Sequence, residues 1–491
     1  MTARIVLALI SGLVFAQAQA LPSRPEALSF QPLVFQAPKA RDFKAQLRNG
    51  IPAYLAPDPT GAPVIRLTVS WKGGGFLDPA GKEGLATLFG GQLAQGGTAT
   101  RTPAQVEEAL EQTAASITSG CGDTSGTLSL VCLEKDFEST FELFLELLQR
   151  PGFAADRLEL AKRSQRQAME RRNDAVTSIA PAEMNRLLFG EHHHLGREAT
   201  AAGLASITRE DLQAFHNRLL HPANLMVTAS GKFDRKALLA RLNGSLGRLK
   251  AAAGAQVTPK VPTPEHARKP GLYVVDKAAP QAMVSWAFPG LRRSDPEWHA
   301  AFVMNQILGG GGFSSRLTRT IRSNEGLTYG VRTALGEGPH FRGDLAGSSQ
   351  TSNKSVAYLL RLALGEMQKL KEAPVPEADL KLIKDAIIES FPARWSGKAA
   401  VVNTFAGEAQ TGWPEDWWQD YRQKIQAVTA ADVQKAARRL LDSSQVVILA
   451  VGRAAEIEAG DPDHPGALKD VLPLPLVRLP LRDPLTLQPL K

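Results

Sequence analysis

The stretch ITREDLQAFHNRLLHPANLMVTASG at 207–231 returns as VTAADVQKAARRLLDSSQVVILAVG at 428–452, without a gap. Thr208 falls on Thr429, Asp211 on Asp432, Leu219 and Leu220 on Leu440 and Leu441, and Gly231 on Gly452. Each copy opens with a threonine suited to accept a backbone N–H at a helix start. A helix, an apolar strand and a closing glycine follow. The openings of the two halves match too: VSW at 69–71 returns at 284–286, and Asp78-Pro79 as Asp295-Pro296. Ordered matches at both ends predict a duplicated α+β domain.

Working outward, VIRLTVSWK at 64–72 alternates as a strand does, and helical patterns cover 83–94, 103–115 and 155–172. Residues 116–133 read as a strand pair, and Asp136 as the N-cap of a helix reaching Gln149. Pro259, Pro262 and Pro264, among small residues without apolar periodicity, mark a linker. The expected boundaries are 1–20 for a signal peptide, 21–250 and 271–458 for the homologous halves, 251–270 for the linker and 459–491 for a tail. That tail, LPLPLVRLPLRDPLTLQPLK from Leu472, alternates proline and leucine. Its prolines predict an extended segment, and its leucines require cover from this chain or from a partner.

A chain of 491 residues exceeds one ordinary core. Its 43% hydrophobic and 22% charged composition is that of a folded globular protein. The net charge of +8 and pI near 9.4 come from scattered residues, with no basic block interleaved with aromatics, which argues against nucleic-acid binding. Arg4, the apolar run 5–15 and Ala18-Gln19-Ala20 fit a signal peptide cut after Ala20, so the expected location is a bacterial periplasm. No other segment is apolar enough to span a bilayer, so no integral membrane contact is expected. Cys121 and Cys132 stand eleven residues apart, and a disulfide and two buried thiols are both open readings.

The chemistry centres on FSSRLTRTIRSNEGLTYGV at 313–331. Leu317 and Ile321 share one helix face, Ser323, Asn324 and Gly326 stop the helix, and Leu327, Tyr329 and Val331 alternate as a strand. Arg322 and Tyr329 are then two donors able to grip a carbonyl oxygen as negative charge develops on it. The plain alternative is a surface arginine and a half-buried tyrosine. Other motifs carry less. His192, His193 and His194 cannot all face one ion from a regular element, and they read as a loop. GDTSG at 122–126 has threonine where a nucleophile elbow needs serine. The glycines 309–312 lack the Lys-Ser/Thr of a phosphate loop and read as a flexible turn, open to close approach by a peptide backbone.

Together, the duplicated halves, RSNEGLTY at 322–329 and the preceding SSRL resemble the pitrilysin/insulinase family of zinc peptidases, the inverzincins, over roughly 30–457. The resemblance implies two homologous α+β domains, each an antiparallel sheet with helices packed on one face. Two such pairs close around a peptide, which binds as an added strand. The family's carbonyl-binding arginine and tyrosine fall on Arg322 and Tyr329. Catalytic members carry H-x-x-E-H on the first helix, two histidines for zinc and a glutamate to activate water. The matching stretch here is GLATLFGGQLAQGGT at 84–98, with Thr87, Gly90 and Gly91 at the three positions. Glycine offers neither ligand nor base. The third ligand's place falls near Gln165 to Glu170, and one carboxylate does not hold catalytic zinc. The resemblance therefore implies a chain without a zinc centre of its own. It would be the non-catalytic subunit beside a homologous zinc-bearing peptidase subunit, with peptides as substrates; the alternative is an inert peptide-binding or structural homologue.

Overall fold

A computed structural model describes residues 34–266 and 268–490; the expected signal peptide at 1–20 lies outside them. Two six-stranded sheets organise residues 37–491, which form one compact unit. The first holds β1 (Lys44–Gln46), β2 (Pro52–Pro57), β3 (Val64–Lys72), β4 (Ser116–Cys121), β5 (Ser125–Leu133) and β6 (Leu225–Gly231), in the order β1-β2-β6-β3-β5-β4. The second holds β7 (Gly271–Asp276), β8 (Gln281–Pro289), β9 (Val331–Leu335), β10 (Asp344–Ser352), β11 (Val447–Gly452) and β12 (Leu476–Leu479), in the order β12-β7-β11-β8-β10-β9. Five strands correspond pairwise, as the repeat requires. The sheets are antiparallel apart from β2 on β6 in the first and β7 on both β11 and β12 in the second.

Local chemistry repeats with the topology. Thr208 and Thr429 each accept the N–H three residues on, and Asp211 and Asp432 return a carboxylate to the threonine N–H at 2.8 and 3.0 Å. Trp71 lies opposite Gly126 and Trp286 opposite Gly347. A Cβ at Gly126 would come within 2.7 Å of Trp71 Nε1, and one at Gly347 within 2.5 Å of Trp286 Nε1. In both halves, then, the indole lies flat on a residue that must lack a side chain. Asp136 stands at the expected helix start but makes no side-chain cap. It belongs to the 3-10 turn Glu134–Asp136, and its carbonyl instead accepts from Ser139 and Thr140.

Each sheet packs one face on helices of its own half; in the first, Phe141, Phe144 and Leu147 of the helix Phe137–Gln149 are fully buried. The second face is covered by exchange, which the expectation of helices on one face did not contain. Helix Val176–Phe189 of the first half lays Val176, Ile179, Ala180, Met184 and Leu188 against Tyr273, Val275, Val447 and Leu449 of the second sheet. Reciprocally, helix Lys398–Thr411 packs on β6 and β2, with Phe405 stacked on Tyr54 at 6.3 Å.

The tail is extended, and this chain partly covers its leucines apart from the exposed Leu490. β12 adds to the edge of the second sheet in parallel with β7, Leu479 and Leu481 join the core under helix Val176–Phe189, and Leu485 joins that of the first half. Asn173 Nδ2 donates to Arg482 O at 2.7 Å, Arg172 Nη1 to Pro484 O at 3.0 Å and Ala201 N to Leu485 O at 2.8 Å. The two cysteines are free thiols. Cys121 pairs with Gly126 across the hairpin and Cys132 with Ile65 on the other neighbour, so they sit at opposite ends of the strand pair.

Candidate functional site

Helix Leu85–Gln95 carries the three positions Thr87, Gly90 and Gly91. Its buried face, Leu85, Ala86, Leu88, Phe89 and Leu93, belongs to the first core. The Asp78 carboxylate caps its start, accepting from Gly84 N and Ala86 N at 2.9 Å each. Burial pushes the Asp78 pKa up to about 6, against the lowering effect of these bonds and of Arg197.

The two glycines differ. A Cβ at Gly90 would lie 2.7 Å from Cys121 Cβ, and closer still to the Cys121 backbone nitrogen. Helix and edge strand β4 therefore meet backbone to backbone. Ser119 of β4 exploits the approach: its hydroxyl accepts from Ala94 N at 2.9 Å and donates to Gly90 O, bridging one turn of the helix ladder. The space a glutamate would need is filled by β4. A Cβ at Gly91, by contrast, meets nothing within 4 Å.

Thr87 is exposed at a cavity of about 410 Å³ whose wall includes Asp78, Glu83, Gln165, Arg172, His194 and Arg197. Burial, then His193, Arg197 and His340, push the His194 pKa down to about 4, so the imidazole is neutral at physiological pH. Glu170, in the stretch of the third ligand, lies exposed and pairs with Arg166 at 3.3 Å, while Gln165 and Met169 face the cavity. Among the described residues no group of three or more His, Cys, Asp or Glu side chains is placed to hold a metal ion. Thr87, Gly90 and Gly91 do not fit zinc. The histidine run is a turn, with His193 Nε2 against Pro262 O at 3.1 Å and its ring between Phe189 and Phe341.

Arg322 and Tyr329 lie elsewhere, beside edge strand β9. Leu317 and Ile321 are fully buried on one face as expected, but Thr318–Asn324 winds as a π-helix. Arg322 stacks over Phe313 at 4.6 Å. Gly326 takes the left-handed turn at φ +64°. The strand starts at Val331, so Tyr329 stands in a bend ahead of it rather than on it, with 91% of its surface exposed. Hydroxyls of β10 cause the delay: Thr351 donates to Leu327 O at 2.8 Å and Ser349 to Gly330 O at 3.0 Å, taking carbonyls a ladder would use. The glycine run is likewise no open turn. Gln306–Gly310 is π-helical and Gly312–Ser314 a 3-10 turn, and a Cβ at Gly309 would meet Thr333 at 2.7 Å, so this glycine seats the helix on β9. Arg322 and Tyr329 do not line the Thr87 cavity, and no hydrogen bond or ion pair of either side chain is present among the described residues.

Sequence reasoning missed Ser119, Asp78 as a cap, and both exchanged helices. Asp78-Pro79 was visible as a repeat, yet Asp78 lies six residues before the first N–H it caps.

Comparison with known proteins agrees with this geometry. Residues 206–387 match the family model described as the peptidase M16 inactive domain. A Helicobacter pylori protein named non-peptidase homolog YmxG is 26% identical over 377 residues, 76% of this chain and 85% of that protein. An uncharacterised zinc protease of Mycobacterium bovis is 27% identical over 270 residues, 54% of this chain and 60% of that one. A crystal structure of a peptidase M16 inactive domain from Pseudomonas fluorescens superposes with a TM-score of 0.75 at 23% identity, covering 84% of this chain and 98% of that one. The chain is thus similar to non-catalytic homologues of the pitrilysin/insulinase family of zinc peptidases, and Thr87, Gly90 and Gly91 stand where catalytic members carry H-x-x-E-H.

Proposed function

We propose that this chain is the non-catalytic subunit of a two-chain periplasmic zinc peptidase, exported by the segment at 1–20. A homologous partner carries H-x-x-E-H and the zinc, and this chain contributes Arg322 and Tyr329. The two donors bind the oxygen of the scissile carbonyl and stabilise the charge that develops on it. Peptide substrate binds along a sheet edge through main-chain hydrogen bonds, with little demand on sequence. The observation that carries this reading is the state of the pair. Tyr329 is 91% exposed, and neither side chain is engaged in an ion pair or hydrogen bond among the described residues, so the fold makes little use of them.

The test is peptide hydrolysis by this chain mixed with an exported homologue bearing the zinc motif. Arg322→Ala and Tyr329→Phe should each lower turnover by about 10²–10³, the usual effect of losing one oxyanion donor. Wild-type turnover in both mutant complexes would refute the roles. A second reading, an inert peptide-binding or structural homologue, draws support from Tyr329 standing in a bend not fixed by the β9 ladder. It takes over if the chain stays inert and binds no such partner.

A further inference from the structure

The C-terminal end of β3, the β4–β5 turn, the linker and the loop after β8 enclose a cavity of about 700 Å³. Its charged lining is of one sign. Lys72 comes from β3, Lys260 from the linker and Arg292 from the loop, with His340 beside them, and no aspartate or glutamate lines the space. Nearby carboxylates are engaged elsewhere. Asp295 accepts the Arg292 backbone N–H at 3.1 Å, while Glu337 and Glu408 pair with Arg293 at 3.7 and 3.2 Å. Asp123, at the β4–β5 turn, lines the neighbouring cavity.

Among the described residues Lys72 and Lys260 form no ion pair, and the Arg292 guanidinium donates to a carbonyl, His340 O, at 3.1 Å. Three cations from three separated segments repel one another, and the fold fixes the backbones of Lys72 and Arg292 regardless. Thr258 Oγ1 donates to Lys72 O at 2.8 Å, and Gln410 Nε2 to Trp71 O at 3.0 Å. Thr124 and Ser125 add hydroxyl groups to the lining. Thr124 lies in the turn after β4 and Ser125 opens β5, and β4 is the edge strand whose outer side has no strand partner among the described residues. A peptide added to β4 is thereby led to the cavity.

We infer that this cavity binds carboxylate groups, those of an acidic peptide segment whose neighbouring residues pair with β4. Only the peptide source rests on the function proposed above; the anion chemistry stands on the cavity itself. The experiment uses the isolated full chain and three fluorescein-labelled peptides of equal length, identical except for four C-terminal glutamates, glutamines or lysines. Fluorescence anisotropy should show the glutamate peptide binding on the order of tenfold more tightly than the glutamine peptide. That preference should fall with added salt and vanish in the triple variant Lys72→Met, Lys260→Met, Arg292→Gln, where the glutamine peptide binds as before. Equal binding of the glutamate and glutamine peptides overturns the inference, as does a preference that survives the triple substitution. Displacement by succinate, sensitive to the same substitutions, supports the carboxylate site and assigns it to small dicarboxylates as well. Charge preference is read on the isolated chain, and the Arg322 and Tyr329 effects on turnover in the complex, so either can fail alone.

Discussion

Adjacent glycines in helix Leu85–Gln95 should respond in opposite senses to one substitution. On helix propensity alone, Gly→Ala in a helix interior gains about 1 kcal/mol. At Gly91 nothing lies within 4 Å of the added carbon, so Gly91→Ala should keep that gain. At Gly90 the new carbon falls 2.7 Å from Cys121 Cβ and nearer still to a backbone nitrogen, which has no rotamer by which to yield. Helix and strand must separate by several tenths of an ångström, which also stretches the Ser119 bridge to Gly90 and Ala94. Overpacking of this kind costs about 1–3 kcal/mol, and loss of the bridge adds about 1 kcal/mol, so Gly90→Ala should be destabilising by roughly 1–3 kcal/mol net. Urea unfolding of both variants measures the difference directly from their midpoints, provided m is unchanged. Shifts of the same sign and similar size would refute the account of the helix–strand contact. The same geometry predicts that Thr87→His with Gly90→Glu and Gly91→His does not produce peptide hydrolysis, since the water-activating glutamate has no room at position 90.

Asp78 sets a pH dependence. Its folded pKa of about 6 lies above the 3.8 of an unperturbed carboxyl, so the folded state favours the protonated form. Its contribution to stability is fully present below about pH 4 and is lost as pH rises through 6, by up to about 3 kcal/mol. Unfolding free energies from pH 4 to 7 should show wild type losing ground against Asp78→Asn; parallel curves would contradict this. Deleting 475–491 removes β12, three packed leucines and the bonds from Arg172, Asn173 and Ala201, on the order of 5 kcal/mol; calorimetry should show a lower Tm, and an unchanged one would place the tail outside the fold. Burial raises the thiol pKa of Cys121, to about 12, and of Cys132. Intact mass should show neither alkylated by iodoacetamide in the native chain and both after unfolding without reductant; a disulfide would leave both unlabelled.

Much of the fold was legible because its signals are local. Thr208 with Asp211 and Thr429 with Asp432 write two capping boxes into the sequence, and β3, β5 and β8 alternate cleanly. What escaped was set by distant partners. Helix Val176–Phe189 holds Pro181 and takes its value from the other half's sheet, so no window around it shows what it covers. Leu327 and Tyr329 have the strand period, yet the hydroxyls of Ser349 and Thr351, some twenty residues on, claim the carbonyls and delay the strand to Val331. The empty zinc positions were readable residue by residue; the closure of the space at Gly90 was not, because the strand that fills it contributes backbone rather than any recognisable side chain.

The two parts of the family's chemistry sit on elements with unlike duties to the fold. Helix Leu85–Gln95 is a core element, and glycine at position 90, where catalytic relatives place the water-activating glutamate, lets it close on β4 and engage Ser119. Absence of the catalytic glutamate and close helix–strand packing therefore go with the same residue, Gly90. Arg322 and Tyr329 are the reverse. One stacks on an exposed phenylalanine and the other projects from a bend, so trimming either to alanine should leave stability within about 0.5 kcal/mol. A stability-neutral pair whose removal nonetheless abolishes the gain in turnover on mixing would locate its purpose outside this chain, in the carbonyl it meets across a complex. If removal instead lowers stability by several kcal/mol, the pair serves the fold, and the two-chain proposal loses the observation it stands on.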